Sequence, residues 1–217
     1  MYGDADIVRT LGAVRSPFTR SPFYSLGKFS DKDNVFSTRD EAKHTSLKAR
    51  LSLGYSGKGG AGFEPRVDRI LDELIHLIET KYISTPTEYR PIDFAHVAMY
   101  FTLDVVSGVG WNEALGFLRN DEDMHRYLEL NDTMLPILSS LVPIPWVVPL
   151  MNTWPLSKLQ PGEGDDVGFG RLMRFARQAV ARRRMAPGAE EEQDMLQAHI
   201  RNGLTRRELM DEMVLEM

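Results

Sequence analysis

The sequence predicts a mainly α-helical chain, and three observations predict it. Apolar residues recur at helical spacing through three long segments, two Thr-x-x-Glu capping boxes mark helix starts, and there is no sustained period-two alternation with an Asn-Gly or Asp-Gly hairpin. With 42% hydrophobic and 26% charged residues, the 217-residue chain can bury a core and suits one domain or one and a half.

The elements follow in chain order. Thr38-Arg39-Asp40-Glu41 is a capping box that opens a helix running to about Leu53, with Gly54 as a natural stop. From Phe63 to Tyr82, the residues Val67, Ile70, Leu71, Leu74, Ile75 and Ile78 form one stripe, and Pro65 suits a first turn. Between Pro91 and Gly110, apolar side chains cover more than one face, predicting a helix buried on most sides, with His96 as a hydrogen-bonded core residue. From about Asp165 to Arg184, a further stripe has acids at its start and arginines at its end, as the helix dipole favours. Breaks rich in Gly, Pro or charge fall at Gly57–Gly62, Ser84–Arg90, Gly162–Gly164 and Ala186–Glu192. Thr205 and Glu208 form the second capping box, and the apolar stripe behind it is still running at Met217, which reads as a cut through an element.

Composition excludes several function classes. With no cysteine, the chain has no disulfide, no thiol nucleophile and no cysteine-held zinc or iron–sulfur cluster. The five histidines are scattered and make no HExxH pattern, so no metal site is expected. Nucleophile-elbow and P-loop signatures are absent, and nothing identifies a dinucleotide enzyme. A net charge of −5 argues against a nucleic-acid partner, and the arginines from Arg171 to Arg184 read as a solvated helix end. The N-terminus carries no signal peptide or anchor pattern, so the chain as written is expected in the cytoplasm.

Two features could carry binding chemistry. His44 and Lys48 lie four apart on one helix face and, with Arg50, offer donors for a carboxylate or phosphate; the spacing equally fits an ordinary solvated face. The stretch from Thr133 to Ser157 has no charged residue but contains five prolines, so it is not a spanning helix. It fits either an apolar connection covered by the protein or a loop meeting a membrane interface through its tryptophans, and covered packing is the commoner case.

The order of short motifs resembles a known family. The run Ala13-Val14-Arg15-Ser16-Pro17-Phe18-Thr19-Arg20-Ser21, then Asp33-Asn34-Val35-Phe36-Ser37, Lys43-His44-Thr45-Ser46-Leu47-Lys48, Gly54-Tyr55-Ser56-Gly57, Tyr100-Phe101-Thr102-Leu103-Asp104-Val105 and Val167-Gly168-Phe169-Gly170 is similar to fungal cytochrome P-450 enzymes, the haem-thiolate monooxygenases, of the pisatin-demethylase-like kind. The resemblance covers essentially the whole chain. It matches residues 4–12 to the family's helix B, 13–37 to its B–C loop, 38–53 to helix C, 63–82 to helix D and 92–110 to helix E. Residues 121–140 and 165–185 match helices F and G, and 205–217 the opening of helix I. Residues 1–217 are thus expected to be a partial cytochrome P-450 domain, from the helix B region to the start of helix I, with no second domain.

What the resemblance implies is specific. Helix C of the family binds a haem propionate through a Trp-x-x-x-Arg motif, whose positions His44 and Lys48 hold here, so these two are the expected cofactor-binding residues. Val35 and Phe36, just before that helix, are the expected substrate contacts. The complete enzyme would insert an oxygen atom from dioxygen into an apolar organic substrate, drawing electrons from an NADPH-dependent reductase at the endoplasmic reticulum membrane, with residues 134–154 at the membrane interface. The family's iron ligand is a cysteine, which this chain lacks, so no catalytic or metal-ligating residue is assigned and the chain alone is expected to be inactive. The rival expectation is a standalone helical module that binds a hydrophobic ligand or a membrane surface.

Overall fold

The computed structural model describes residues 3–13, 16–28, 32–57, 62–141, 144, 146–151, 153–156, 168–185, 188, 191–192 and 194–215. Helices build it: α1 (Ala5–Gly12), α2 (Glu41–Tyr55), α3 (Phe63–Leu77), α4 (Phe94–Trp111), α5 (Phe117–Asn120), α6 (Tyr127–Leu141), α7 (Val147–Met151), α8 (Gly168–Met185), α9 (Met195–Arg201) and α10 (Arg206–Leu215). Among the described residues, the extended pairing is confined to a bridge between Thr85 and Glu88. The mainly helical expectation therefore holds. Met217, Gly162–Gly164 and the Asp165 start expected for α8 lie outside the described residues.

Local chemistry sets the helix ends, and two expectations are corrected. Helix α2 begins at Glu41, later than the Thr38 box implied, because Asp40 takes the capping role by accepting from the Lys43 amide at 3.0 Å. The Thr38 hydroxyl is already committed, donating to the Asn34 carbonyl at 2.6 Å. At the other end, Gly54 remains helical and the left-handed residue is Gly57, with φ 69°. Gly54 instead makes room for a neighbour: a Cβ there would overlap the His199 ring of α9.

Helix α3 carries Pro65 in its first turn and continues as a π turn over Ile78–Tyr82. Helix α4 starts on Asp93, whose carboxylate accepts from the amides of Ala95 and His96. His96 is not the core residue expected; it lies in the solvent-facing first turn, its Nδ1 2.9 Å from Asp93 Oδ2, with the side chain 55% exposed. Gly108 lets α4 approach α3 closely, since a Cβ there would sit 2.8 Å from the Ile70 Cδ1 atom.

The apolar stripes pack into two clusters. One joins Leu47 and Leu51 of α2 with Trp111, Val180 of α8, Leu196 of α9 and Met213 of α10. The other joins Ile70 of α3, Val97 and Tyr100 of α4, Phe117 and Leu118 of α5 and Leu172 of α8. Helices α4 and α8 contribute to both and tie them into one body. A leucine as covered as Leu51, 1% exposed, supplies about 2 kcal/mol of hydrophobic stabilisation.

Two buried acids organise the joints. Asp104 of α4 is fully buried and accepts from the amides of Gly116 (2.7 Å), Phe117 (3.2 Å) and Leu118 (2.9 Å), satisfying the free N–H groups at the start of α5. Burial pushes its carboxyl above the ordinary aspartate range, with those three donors pulling the other way. Asp194 caps α9 through the Gln197 amide at 2.8 Å and pairs with Arg183 of α8, which also donates to the Trp111 carbonyl at 3.3 Å. Arg182 pairs with Glu113, and Arg184 donates to the Leu204 carbonyl. Of this basic helix end, Arg183 is drawn into the interior, whereas Arg182 and Arg184 stay at the surface. The Thr205–Glu208 box forms as expected, with Glu208 accepting from the Thr205 amide at 2.8 Å and Thr205 Oγ1 from the Glu208 amide at 3.3 Å.

Candidate functional site

The candidate site surrounds the turn that leads into α2. Asn34, 1% exposed, builds the turn: its Oδ1 accepts from the Ser37 amide at 2.8 Å, while its own amide donates to Ser37 Oγ at 3.0 Å. Its side-chain Nδ2 donates to the Gly27 carbonyl at 2.6 Å, fastening the turn to the preceding loop. The two residues between Asn34 and Ser37 are the expected substrate contacts, and they face different surroundings. Val35 is half-buried against the cluster that holds Leu47 and Met213, whereas Phe36 is 38% exposed and packs on Tyr24 with ring centroids 5.0 Å apart. A Cβ on Gly27 would overlap the Phe36 ring, so Phe36 depends on that glycine for its seat.

Arg20, which sequence spacing did not single out, holds the site together. Its Nη1 donates to the carbonyls of Val35 (3.0 Å) and Thr38 (2.9 Å), and its Nη2 donates to His44 Nε2 at 2.7 Å. The guanidinium carbon lies 5.5 Å from the centre of the Tyr24 ring, a cation–π arrangement. An arginine has no acceptor, so His44 Nε2 must be the unprotonated nitrogen, leaving Nδ1–H as the donor. Partial burial and then the Arg20 charge lower the His44 pKa below the ordinary histidine value, consistent with a neutral ring. Lys48 lies one turn further along α2, exposed, and its charge also disfavours protonated His44.

The structure thus brings His44 together with Arg20 and places Lys48 beside them. Arg50 points elsewhere: it forms a forked pair with Glu208 of α10, at 2.6 and 3.1 Å. Arg20 is 24 positions from His44 in an irregular stretch, and no periodic signal could have joined them. On the far side of the turn, Glu212 of α10, 1% exposed, accepts from the Val35 amide through Oε1 at 2.8 Å.

No family model matches the chain. Cytochrome P450 monooxygenase ABA1 of Pyricularia oryzae is 32% identical over 100% of this chain and 43% of its own length. Cytochrome P450 monooxygenase aba1 of Botryotinia fuckeliana is 32% identical over 94% of this chain and 41% of its own. The chain is homologous to fungal cytochrome P450 monooxygenases. A third relative, abl1 of Leptosphaeria maculans, is 29% identical over 94% of this chain. The chain spans about two fifths of the length of these curated relatives.

Homology to cytochrome P450 enzymes implies haem, and the residues present can be tested against it. One edge fits: the Arg20 fork, the Lys48 ammonium and His44 Nδ1–H form a donor set suited to a carboxylate such as a haem propionate. The iron side does not, because the chain has no cysteine to supply a thiolate. Among the described residues, no group of three His, Asp or Glu side chains could hold a metal ion.

The proline-rich segment departs from the covered connection that was the commoner expectation. Val147 is buried, but Met134, Leu135, Ile137, Leu141, Trp146, Leu150 and Trp154 are exposed. Among the described residues, no helix is long and apolar enough to cross a membrane.

Proposed function

We propose that these residues form the part of a haem-thiolate monooxygenase that grips a haem propionate and lines the substrate side, in the pisatin-demethylase-like branch the sequence resembles. The observation that carries the reading is the Arg20–His44 contact beside Lys48, on the helix matched to the family's helix C. Bound haem would supply the dioxygen activation that inserts an oxygen atom into an apolar organic substrate, with electrons from an NADPH-dependent reductase. Arg20 and Lys48 would hold the propionate, His44 would orient Arg20 by accepting its Nη2–H, and Val35 and Phe36 would meet the substrate. On this reading, the axial thiolate is not among these 217 residues, and the chain by itself does not turn over substrate. The exposed tryptophans at 146 and 154 and the apolar face of α6 support contact with a membrane interface, and hence an endoplasmic reticulum location for the whole protein.

Titration of the purified protein with haemin, followed by visible absorbance, tests the propionate site. Arg20→Met should weaken binding at least tenfold and Lys48→Ala less, because a fork gives two directed bonds and an exposed ammonium a screened point charge. Equal affinity for wild type and Arg20→Met would refute the site. A carbon monoxide difference spectrum with a thiolate-type Soret band would refute the inactivity of the chain. Binding to anionic vesicles with a blue shift of tryptophan emission is the expected membrane result; no shift would refute that contact.

A further inference from the structure

We infer that Glu212 is a positioning residue: from α10 it fixes the Val35–Phe36 turn, and so sets the two side chains assigned to substrate contact. This rests on the proposed reading of Val35 and Phe36, and it goes further by naming what holds them. The turn is clamped from two sides. Arg20 takes the carbonyls of Val35 (3.0 Å) and Thr38 (2.9 Å), and Glu212 Oε1 takes the Val35 amide at 2.8 Å. Both backbone groups of Val35 are therefore committed to side chains from distant parts of the chain, 15 and 177 positions away.

The choice of a carboxylate is informative. Glu212 is 1% exposed, and an ionisable acid is an expensive way to fill a covered position unless its hydrogen bonds matter. The bond from the amide to Glu212 fixes the Asn34–Val35 peptide plane, and Arg20 on the Val35 carbonyl fixes the next plane, so together they set the backbone of Val35 that leads into Phe36. A second contact makes the link geometric. Glu208, four residues earlier on the same face of α10, grips Arg50 near the end of α2, while Glu212 grips the turn before α2 begins. The two contacts pair 50 with 208 and 35 with 212, in reversed chain order, so one turn of α10 holds both α2 and the turn that precedes it. Any shift of α10 along its axis is then transmitted to the turn.

The test is nuclear magnetic resonance on the labelled 217-residue protein. A coupling across the hydrogen bond between the Val35 amide nitrogen and the Glu212 side-chain carboxyl carbon reads the contact in wild type, with no substitution needed. Its absence would overturn the inference. Glu212→Gln keeps an acceptor oxygen and should retain the slow exchange of the Val35 amide and the ring-current shift that Phe36 imposes on the Gly27 α-protons. Glu212→Met fills the space without an acceptor and should raise Val35 exchange at least tenfold and collapse that shift. A Gln variant that behaves like the Met variant, or a Met variant that leaves the Gly27 shift intact, would overturn the positioning role. The dependence on substrate contact is tested separately, with the apolar dye anilinonaphthalene sulfonate. If Val35→Ala and Phe36→Ala leave dye binding unchanged while the coupling and the Gln rescue hold, the substrate reading fails and the placement of the turn by Glu212 stands.

Discussion

Replacing Glu208 with glutamine removes one charge from the joint between α2 and α10 while leaving a side chain of the same shape. The Arg50 fork, at 2.6 and 3.1 Å, together with the Thr205 amide and hydroxyl, holds the Glu208 carboxyl down at about 2 instead of 4.5. The sign follows directly. A carboxyl depressed in the folded protein contributes stability that is complete above the unfolded pKa near 4.5 and lost as the pH falls towards about 2. At ~1.4 kcal/mol for each tenfold change in proton affinity, the full difference is about 3 kcal/mol at neutral pH. The Arg50 side chain is 33% exposed and that of Glu208 21%, so solvent screening reduces the expected loss in Glu208→Gln to about 1–2 kcal/mol. Urea unfolding followed by circular dichroism, at pH 7 and at steps down to pH 2.5, measures it. The gap between wild type and variant should be largest at pH 7 and should shrink steadily below pH 4.5. A gap that does not change between pH 7 and pH 2.5 would refute the electrostatic account and leave only lost packing.

Other joints give separate expectations. Asp104→Ala leaves three amides at the start of α5 without their acceptor, two of them on residues 1% exposed, and should cost about 3–4 kcal/mol in urea unfolding. Breaking the Arg183–Asp194 pair, with side chains 10% and 0% exposed, should cost about 3–5 kcal/mol in Asp194→Ala. Arg183→Met with Asp194→Leu should cost less than that single change in thermal unfolding, because no lone buried charge remains. Gly27→Ala should unseat the Phe36 ring, lower stability by about 1–2 kcal/mol, and shift the Tyr24 and Phe36 ring resonances together.

Much of the architecture was legible wherever one face of a helix repeats at 3.6 residues. Helices α3, α4 and α8 stand where the apolar stripes put them, and the Thr205–Glu208 box starts α10. Helix α9 was missed because seven residues are too few to show a period, and Leu196, Gln197, Ala198 and His199 are all buried, so there is no polar face to contrast. Its ends do carry signals that went unread: Asp194 at the N-cap, and Asn202 followed by Gly203 with φ 79°. Thr38 and Gly54 misled because the same residue types serve tertiary contacts as readily as helix ends. In Thr38 the hydroxyl was needed by Asn34, and in Gly54 the missing side chain was needed by His199.

The site was legible only in its local half. His44 and Lys48 share a face of one helix, so spacing could pair them, and motif order could attach a role to them. Arg20 and Glu212 meet the same turn from 15 and 177 positions away, and no pattern along the chain records that. The consequence is chemical as well as topological. Spacing presented His44 as a donor for an anion, but beside Arg20 its Nε2 is an acceptor, and the fork becomes the strongest donor in the cluster. That fork is also bonded to the carbonyls of the turn proposed to meet substrate, so an anion drawn to Arg20 would pull on the groups that set Val35 and Phe36. On the proposed reading, anion binding and turn geometry would be coupled through one guanidinium, while Glu212 braces the turn from the opposite side.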